Sequence, residues 1–543
     1  MTGTDLAAGI TQAQGGIAGR ALPLNALTDI VGSEHVLTDL ASRQLYSRDI
    51  YFWDDAPLAE AVVRPASAQQ IAELLRLARV HGLAVAPRGG GVSYTGGYVP
   101  NKPGTLTLDL SRLNEIHEIN ASDLYVTVGA AVTWQQLDEA LRPRGLRSVM
   151  KGPISGTHAT IGGIASQNTG SASMAPFLSL EVVMADGRIV RTGSAGIREQ
   201  AAPFSRCYGP DLTGLFLGDT GTFGIKTRCT LSLEPIPTGV AFASVGFSTL
   251  GELARAMILV GRSGIACHML GMDPVNNRNA TQVGVREGLS TLAGVVKSAG
   301  SVLTGLRQAA AIAVAGQNVL ANVPWSLHLT VEGHDQQAAD RALAALRPIW
   351  SNADAGQKSN KSGCRGRELP PSVPVAMRGR PFSIRGIVGP QGERWIPIHG
   401  IFPRSQFAEA VAATENFFEQ HALQLKANEI EHSFIVTSSG TTLLLEPMFY
   451  WSDEIGPLHA HVLGSKYEKF AGAPANPGAR TLVMQLRREL AELFRSLGAV
   501  HSQLGKYYEF AGNLQPDTYA VLQDIKQALD PDHCLNPGNL GFK

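Results

Sequence analysis

The sequence predicts an α+β fold, and three observations carry that reading. Apolar runs with a period of two alternate with capped segments whose apolar residues recur every three or four positions. An Asp186-Gly187 pair sits between two short apolar runs, as a tight hairpin requires. Three glycine-dense stretches, all before residue 226, punctuate this grammar where the backbone has to approach something closely.

The elements follow in order. Ala61 to Pro65 reads as a short strand. Ser67 with Gln70 forms a capping box ahead of Ile71, Leu74, Leu75 and Ala78, and Gly82 ends that helix. A strand over 83–86 runs into the first glycine stretch. TLTLDL at 105–110 and YVTVGAAVT at 125–133 alternate with period two, and Thr133 with Gln136 opens another helix. Residues 180–192 form the Asp-Gly hairpin, and a strand over 227–235 closes the region. Beyond Pro237 the pattern restarts with a helix over 250–260, an Ala-rich stretch to about 321, a strand at 325–333 and a helix at 336–346. A loop over 352–374 follows, then strands at 395–402, 433–438 and 442–450 and a helix over 479–497.

A chain of 543 residues with 46 basic and 46 acidic side chains carries no net charge, which removes the electrostatic footprint of a general nucleic-acid binder. Five scattered cysteines show no CxxC pair, so neither a zinc site nor a disulfide ladder is expected, and a reducing, cytoplasmic setting fits. The N-terminus shows no secretory signal. The most membrane-like window, Ala293 to Ala321, is broken by Lys297, Arg307, Gln308, Gln317 and Asn318, so a helix pair is expected there and not a span.

The glycine stretches hold the first functional signal. Pro87-Arg88-Gly89-Gly90-Gly91-Val92-Ser93-Tyr94-Thr95-Gly96-Gly97 follows a strand, and consecutive glycines let main-chain N–H groups converge on a phosphate without Cβ obstruction. Neither GxGxxG nor GK[ST] is present, which disfavours a nicotinamide or a Walker site. The second stretch runs from Gly152 to Gly170 and mixes small residues with hydroxyls and amides; the third runs from Gly209 to Ile225.

Taken together, PRGGGVSYTGG, ATIGGIASQN, EVVMADGRIVRTG and GPDLTGLFLGDTGTFGI, with ALDPDHCLNPGNLGF near the end, resemble the FAD-binding domain of the vanillyl-alcohol oxidase and p-cresol methylhydroxylase (PCMH) superfamily, with a D-lactate dehydrogenase-like branch also close. The resemblance implies a two-subdomain FAD-binding domain over 46–237, a substrate cap with an antiparallel sheet over 238–498, and a segment over 499–543 that returns to the flavin domain, after an N-terminal extension over 1–45. By the same resemblance Arg88, Gly89, Gly90, Gly91, Val92 and Ser93 wrap the pyrophosphate, with Gly96 and Gly97 beside it. Gly156, Thr160, Gly162, Gly163, Ser166 and Asn168 line the flavin and ribityl chain. Gly221, Thr222, Gly224 and Ile225 approach the adenine end or the isoalloxazine edge, and Asn536 comes back near the cofactor. Many relatives bond FAD covalently to a His where this chain has Val92, or to a Cys in the second stretch; neither stands there, so FAD is expected to be non-covalent.

The resemblance implies hydride removal from carbon to the flavin, with the protein positioning a small-molecule substrate and taking a proton. His501 and Tyr507, in GAVHSQLGKYYEF, fall where relatives place residues over the flavin, and His501 is the expected base. His399 on an apolar strand is the next candidate base, although a satisfied core histidine reads equally well. Glu446 in LLLEPMFYW needs a partner, and an Arg is the usual one. Arg385, in a group with Arg378, Arg380 and Arg394, suits a substrate carboxylate or a pairing with Glu446.

Relatives that act on 2-hydroxy acids with a bound divalent metal show His-rich and acidic ligand motifs. This chain has Thr437 to Thr442 and His501-Ser502-Gln503-Leu504-Gly505 in their place, so no metal site is expected. The leading expectation is an FAD-dependent oxidase or dehydrogenase of a hydroxyl-bearing or para-alkylphenol substrate. A metal-independent D-2-hydroxy acid dehydrogenase of lactate or glycolate type and a non-catalytic electron-transfer subunit are the alternatives. A cytochrome or quinone is the expected acceptor where oxygen is not, and a homodimer is among the states the sequence allows.

Overall fold

A computed structural model describes residues 22–51, 56–169, 173–198, 202–281, 320, 322–351, 364–379, 387–389, 391–439 and 441–542. The expected Ala-rich stretch after residue 281, the first twelve residues of the expected 352–374 loop, and Arg380 and Arg385 lie outside the described residues.

Three sheets organise the chain. The first is built from β1 (Val36–Leu37), β2 (Ala61–Val63), β3 (Ala84–Arg88) and β4 (Thr105–Asp109) in the order β1-β2-β4-β3, with β2, β4 and β3 parallel. The helix Ala68–His81 makes the crossover between β2 and β3: Ser67 accepts from Gln70 N at its start, Gly82 in left-handed conformation ends it, and Ile71, Leu74, Leu75 and Ala78 face the sheet. The helix Leu24–Val31 packs Leu27 and Val31 into the same core, so the described part of the expected N-terminal extension is built into this half. On its far side β3 is covered by the C-terminal segment, where Val85 N donates to Cys534 O and Asn536 N to Val85 O, each at 2.8 Å.

The second sheet is antiparallel. It comprises β5 (Ile116–Asn120), β6 (Tyr125–Gly129), β7 (Leu146–Ser148), β8 (Phe177–Val183), β9 (Ile189–Arg191) and β10 (Ile225–Pro235), ordered β5-β6-β10-β8-β9 with β7 on the end of β10. The Thr133–Gln136 box is reciprocal, as its sequence implied.

The chain then passes into an eight-stranded antiparallel sheet of β11 (Gly239–Phe247), β12 (His268–Met272), β13 (Trp325–Gly333), β14 (Arg367–Leu369), β15 (Arg394–Pro397), β16 (Gly400–Pro403), β17 (Glu431–Ser439) and β18 (Thr442–Trp451), ordered β14-β11-β13-β12-β17-β18-β15 with β16 also on β18. The helices Leu250–Ser263, Phe407–Gln420 and Pro477–Ser496 pack one face of this sheet into a large apolar core.

Two local expectations are corrected here. The single strand expected at 395–402 is two, because His399 N donates to the Tyr508 hydroxyl at 3.2 Å instead of to a neighbouring strand. The end of the expected 352–374 loop contains β14 and the start of a helix, Ser372–Gly379.

Candidate active site

The three glycine stretches converge because their backbones meet where no side chain fits. A Cβ on Gly90 would collide with the carbonyl of His158, and one on Gly89 would stand 2.6 Å from Thr160 Oγ1, so the first stretch lies directly on the second. Thr220 N donates to Ser166 O at 2.8 Å and Gly218 N to Ala165 O at 2.8 Å, which seats the third stretch on the second. The C-terminal segment closes the ring. Asn536, held at φ 43°, donates through Nδ2 to Gly97 O at 2.7 Å and to Thr220 O at 2.6 Å.

Two buried ion pairs fix this arrangement. Lys226 pairs with Asp219, which also accepts Gly221 N and Phe223 N. Lys526 Nζ donates to Asp530, to Thr222 O at 2.8 Å and to Leu535 O at 3.1 Å, tying the third stretch to the C-terminal segment. Burial outweighs its partner in each half of the first pair: it raises the carboxyl of Asp219 and lowers the ammonium of Lys226.

This cradle fits FAD. Four buried polar atoms around it, Gln167 Oε1, Asn168 Oδ1, Thr220 Oγ1 and Asn539 Oδ1, have no protein partner. Buried polar atoms are rarely left unpaired, and hydroxyl and amide groups suit the ribityl chain and phosphates of a dinucleotide. They come from the second and third stretches and the C-terminal segment, which meet the first stretch at the glycine contacts.

A second constellation lies where the first stretch meets the cap. Arg487, on the helix Pro477–Ser496, is fully buried. Its guanidinium stands 3.6 Å over the Tyr507 ring, 4.6 Å from the Tyr51 ring and 5.9 Å from the Tyr94 ring. Nε donates to Pro397 O at 3.0 Å and Nη2 to Tyr94 O at 3.2 Å, whereas Nη1 has no partner; neither has the Tyr507 hydroxyl. Burial pushes the Tyr507 phenol up to about 12 against the pull of Arg487, and the Tyr94 phenol well above its usual range, with Glu446 adding to the rise. Both phenols therefore stay protonated at neutral pH and can donate. Gln503 Nε2 donates to the Tyr94 hydroxyl at 3.2 Å, and Trp395 meets the Tyr94 ring edge-on at 5.9 Å. Burial raises Glu446, on β18, to about 7. The arrangement offers one cation, neutral hydroxyl donors and a carboxyl poised near neutrality: a site for an acidic oxygen beside a proton acceptor.

Residues 59–193 match the FAD binding domain family, and residues 504–540 match the C-terminal domain of FAD linked oxidases. The chain thus carries the FAD-binding domain and the C-terminal domain of FAD linked oxidases. It is 30% identical to a D-lactate dehydrogenase of Archaeoglobus fulgidus over 229 residues, 39% of this chain and 49% of that one, so the match spans about half of the archaeal protein. It is 24% identical to the mitochondrial D-lactate dehydrogenase [cytochrome] of Kluyveromyces lactis over 89% of this chain and 73% of the relative. A 4-ethylphenol oxidase from Gulosibacter chungangensis, solved with isoeugenol, shares the fold with a TM-score of 0.69 at 19% identity over 96% of each chain.

The structure distributes the flavoprotein's expected site residues unevenly. Gly89, Gly90, Gly91, Gly96, Gly97, Gly162, Gly163, Ser166, Asn168, Gly221, Thr222 and Asn536 gather in or around the cradle. Ser93 faces Thr95, Oγ to Oγ1 at 3.2 Å, Gly156 closes a turn with Pro153, and Gly224 packs against Val182. Arg88 is a correction: its guanidinium donates to Leu45 O and lies between the Tyr46 and Tyr98 rings, so it braces the loop from behind. Ile225 is another, buried in the core of the first half, while Val92 packs against that of the second. Thr160 caps the helix Ile161–Gln167 through Gly163 N.

Among the catalytic candidates, Tyr507 joins Arg487, and Glu446 acts on Tyr94 electrostatically. His399 takes the form of a satisfied core histidine. It is buried with Nε2 against the Ser502 main chain and hydroxyl, and burial, with His501 nearby, lowers it to about 3. His501 donates from Nδ1 to His399 O at 2.7 Å, stacks on Tyr508 at 4.1 Å, and opens onto an outer cleft. Arg394 is spent on the carbonyls of Ile50 and Glu454, and Arg378 pairs with Glu332, so among the described residues neither meets Glu446.

Arg487, Tyr51 and Tyr94 are members of this constellation that the sequence did not single out. The available signal was an arginine at the apolar-facing position of Val483-Leu486-Arg487-Leu490-Phe494, a charge on the buried stripe of an amphipathic helix.

Proposed function

We propose that the flavoprotein removes hydride from a carbon atom of a substrate that carries an acidic or hydroxyl oxygen, a para-alkylphenol or another hydroxyl-bearing molecule, and that Arg487 holds that oxygen. The observation that carries this reading is the buried, unpartnered Nη1 of Arg487 beside the unpartnered Tyr507 hydroxyl. A buried cation without a counter-ion is costly, and an incoming anion relieves that cost. Bound FAD supplies the two-electron, hydride-accepting chemistry, held by the three glycine stretches and Asn536. Tyr94 and Tyr507 donate to the oxygen, and Glu446, ionised in a useful fraction at neutral pH, takes the proton that leaves.

A second reading places the carboxylate of a D-2-hydroxy acid on Arg487, and the names of the archaeal and yeast relatives favour it. The yeast relative also favours a cytochrome over a quinone as acceptor. Five free cysteines suit a reducing compartment such as the cytoplasm.

Anaerobic bleaching of the flavin by a panel of 4-alkylphenols and D-2-hydroxy acids tests the reading and separates an enzyme from an electron-transfer subunit. Arg487→Met is expected to slow reduction by the best substrate about 100-fold or more while FAD stays bound. Reduction at the parent rate would overturn the role of Arg487.

A further inference from the structure

A cleft of about 420 Å³, its open mouth included, lies on the outer side of Tyr507. Its floor is aromatic: Tyr507 meets Tyr508 edge-on at 5.3 Å, and His501 stacks on Tyr508. Arg488 and Ala491 line it from the helix that carries Arg487, and Asn513 lines it from the C-terminal segment. The Tyr507 hydroxyl is sealed from solvent, and the other side of its ring carries the Arg487 guanidinium at 3.6 Å. One ring therefore separates solvent from the orphaned Nη1 of Arg487.

The charges around the mouth are not equivalent. Arg495 is taken by Glu492, and Glu509 accepts Gly512 N at 2.8 Å. Arg488 is exposed and, among the described residues, has no carboxylate within ion-pair distance. Successive residues of one helix thus place one arginine outside the Tyr507 wall and one inside it.

We infer that this cleft is the entrance through which a small organic anion or acidic phenol reaches Arg487, with the Tyr507 ring as the wall it displaces and Arg488 as the cation that draws it in. The inference rests on the proposed role of Arg487. An aromatic floor accepts a planar ring at little desolvation cost, and a free cation at a concave mouth raises the local concentration of an anion and its rate of encounter.

The test uses the holoenzyme with benzoate and 4-ethylphenol as probes, followed through the flavin absorbance in stopped flow. Ala491→Trp and Asn513→Trp narrow the cleft from two different elements of the chain. Each is expected to slow association and dissociation by the same factor, about tenfold or more, and so leave Kd unchanged, which damage to the binding site itself would not do. Arg488→Gln is expected to lower the association rate about threefold to fivefold and to flatten its dependence on salt. FAD content and melting temperature equal to the parent's qualify each variant. Parent rates in both Trp variants, or a change in Kd without slower exchange, overturn the entrance. If Arg487→Met binds both probes as tightly as the parent, or the parent binds neither, the role of Arg487 fails and the entrance falls with it. If Arg487→Met loses binding while the Trp variants exchange normally, only the entrance is wrong.

Discussion

The flavin cradle and the Arg487 site lie next to each other, yet they are built by opposite means. The cradle is made of main chain: glycines whose missing Cβ atoms let one backbone touch another, stitched by Asn536 and by two buried Lys–Asp pairs. The Arg487 site is made of single side chains, at positions 51, 94, 446, 487 and 507, that share no local motif. A cofactor held by backbone demands contiguous stretches of small residues. A substrate held by side chains demands only that the fold bring them together, and it leaves each position free to vary.

Replacing Gly90 by Ala breaks the comparison on the cofactor side. The added methyl would overlap the His158 carbonyl, and backbone on both sides of that contact is pinned, so the first stretch must shift away from the second. Overpacking of this kind costs about 1–3 kcal/mol, which corresponds to a loss of FAD affinity of about tenfold to 100-fold. Flavin content after dialysis measures it. Tyr51→Phe, a change on the side-chain half, is expected to keep FAD fully bound, and loss of FAD from both variants would erase the distinction.

That contrast explains what could be read from the sequence. PRGGGVSYTGG and GDTGTFGI announced themselves because a backbone contact leaves a run of glycines behind. Even there, Arg88 misled, since a charged residue inside a phosphate-like loop turned out to brace it between Tyr46 and Tyr98. The strands of the cap were legible from their period, but the break at His399 was not, because its cause is the hydroxyl of Tyr508, 109 residues away in sequence. The position of His501 in a motif placed it over the flavin. The fold instead commits it to the His399 carbonyl and hands the inner side of that wall to Tyr507.

Glu446 sharpens the comparison through pH. Burial raises its carboxyl from 4.5 to about 7 in the folded protein. Between those values the folded state holds a proton that the unfolded state has released, so stability falls as pH rises through this window and the loss is complete above it. Glu446→Gln removes the component. Relative to the parent, the variant should gain stability between pH 4.5 and 7 by up to about 3 kcal/mol, as measured by urea denaturation across the range. The parent's flavin-reduction rate is expected to rise with pH near 7, and the same variant should lose that rise. A parallel stability profile in the two proteins would place the Glu446 carboxyl in water.

The smallest effect on rate is expected at His399, the next candidate base after His501 in the sequence. Its ring touches Ser502 through Nε2 and approaches the Tyr508 hydroxyl through Nδ1 at 3.4 Å, and both partners belong to the returning C-terminal segment. With both ring nitrogens engaged and its acidity shifted to about 3, it stays neutral through the working pH range. Its contribution is to seat residues 502–508, which carry Tyr507. The sign of its own pH effect is opposite to that of Glu446: the unfolded imidazole takes a proton below about 6.5 while the folded one does not, so the parent loses stability as pH falls from 6.5 towards about 3. His399→Asn should therefore lower the melting temperature by a few degrees at pH 7, through about 1–2 kcal/mol of lost packing and hydrogen bonding, and flatten the acid limb of the stability profile. Anaerobic flavin reduction at saturating substrate should stay within about threefold of the parent, since nothing that His399 touches is a reacting atom. A drop of about 100-fold at unchanged melting temperature would return His399 to the chemistry and move the proton acceptor from Glu446 to the His399–Ser502 contact.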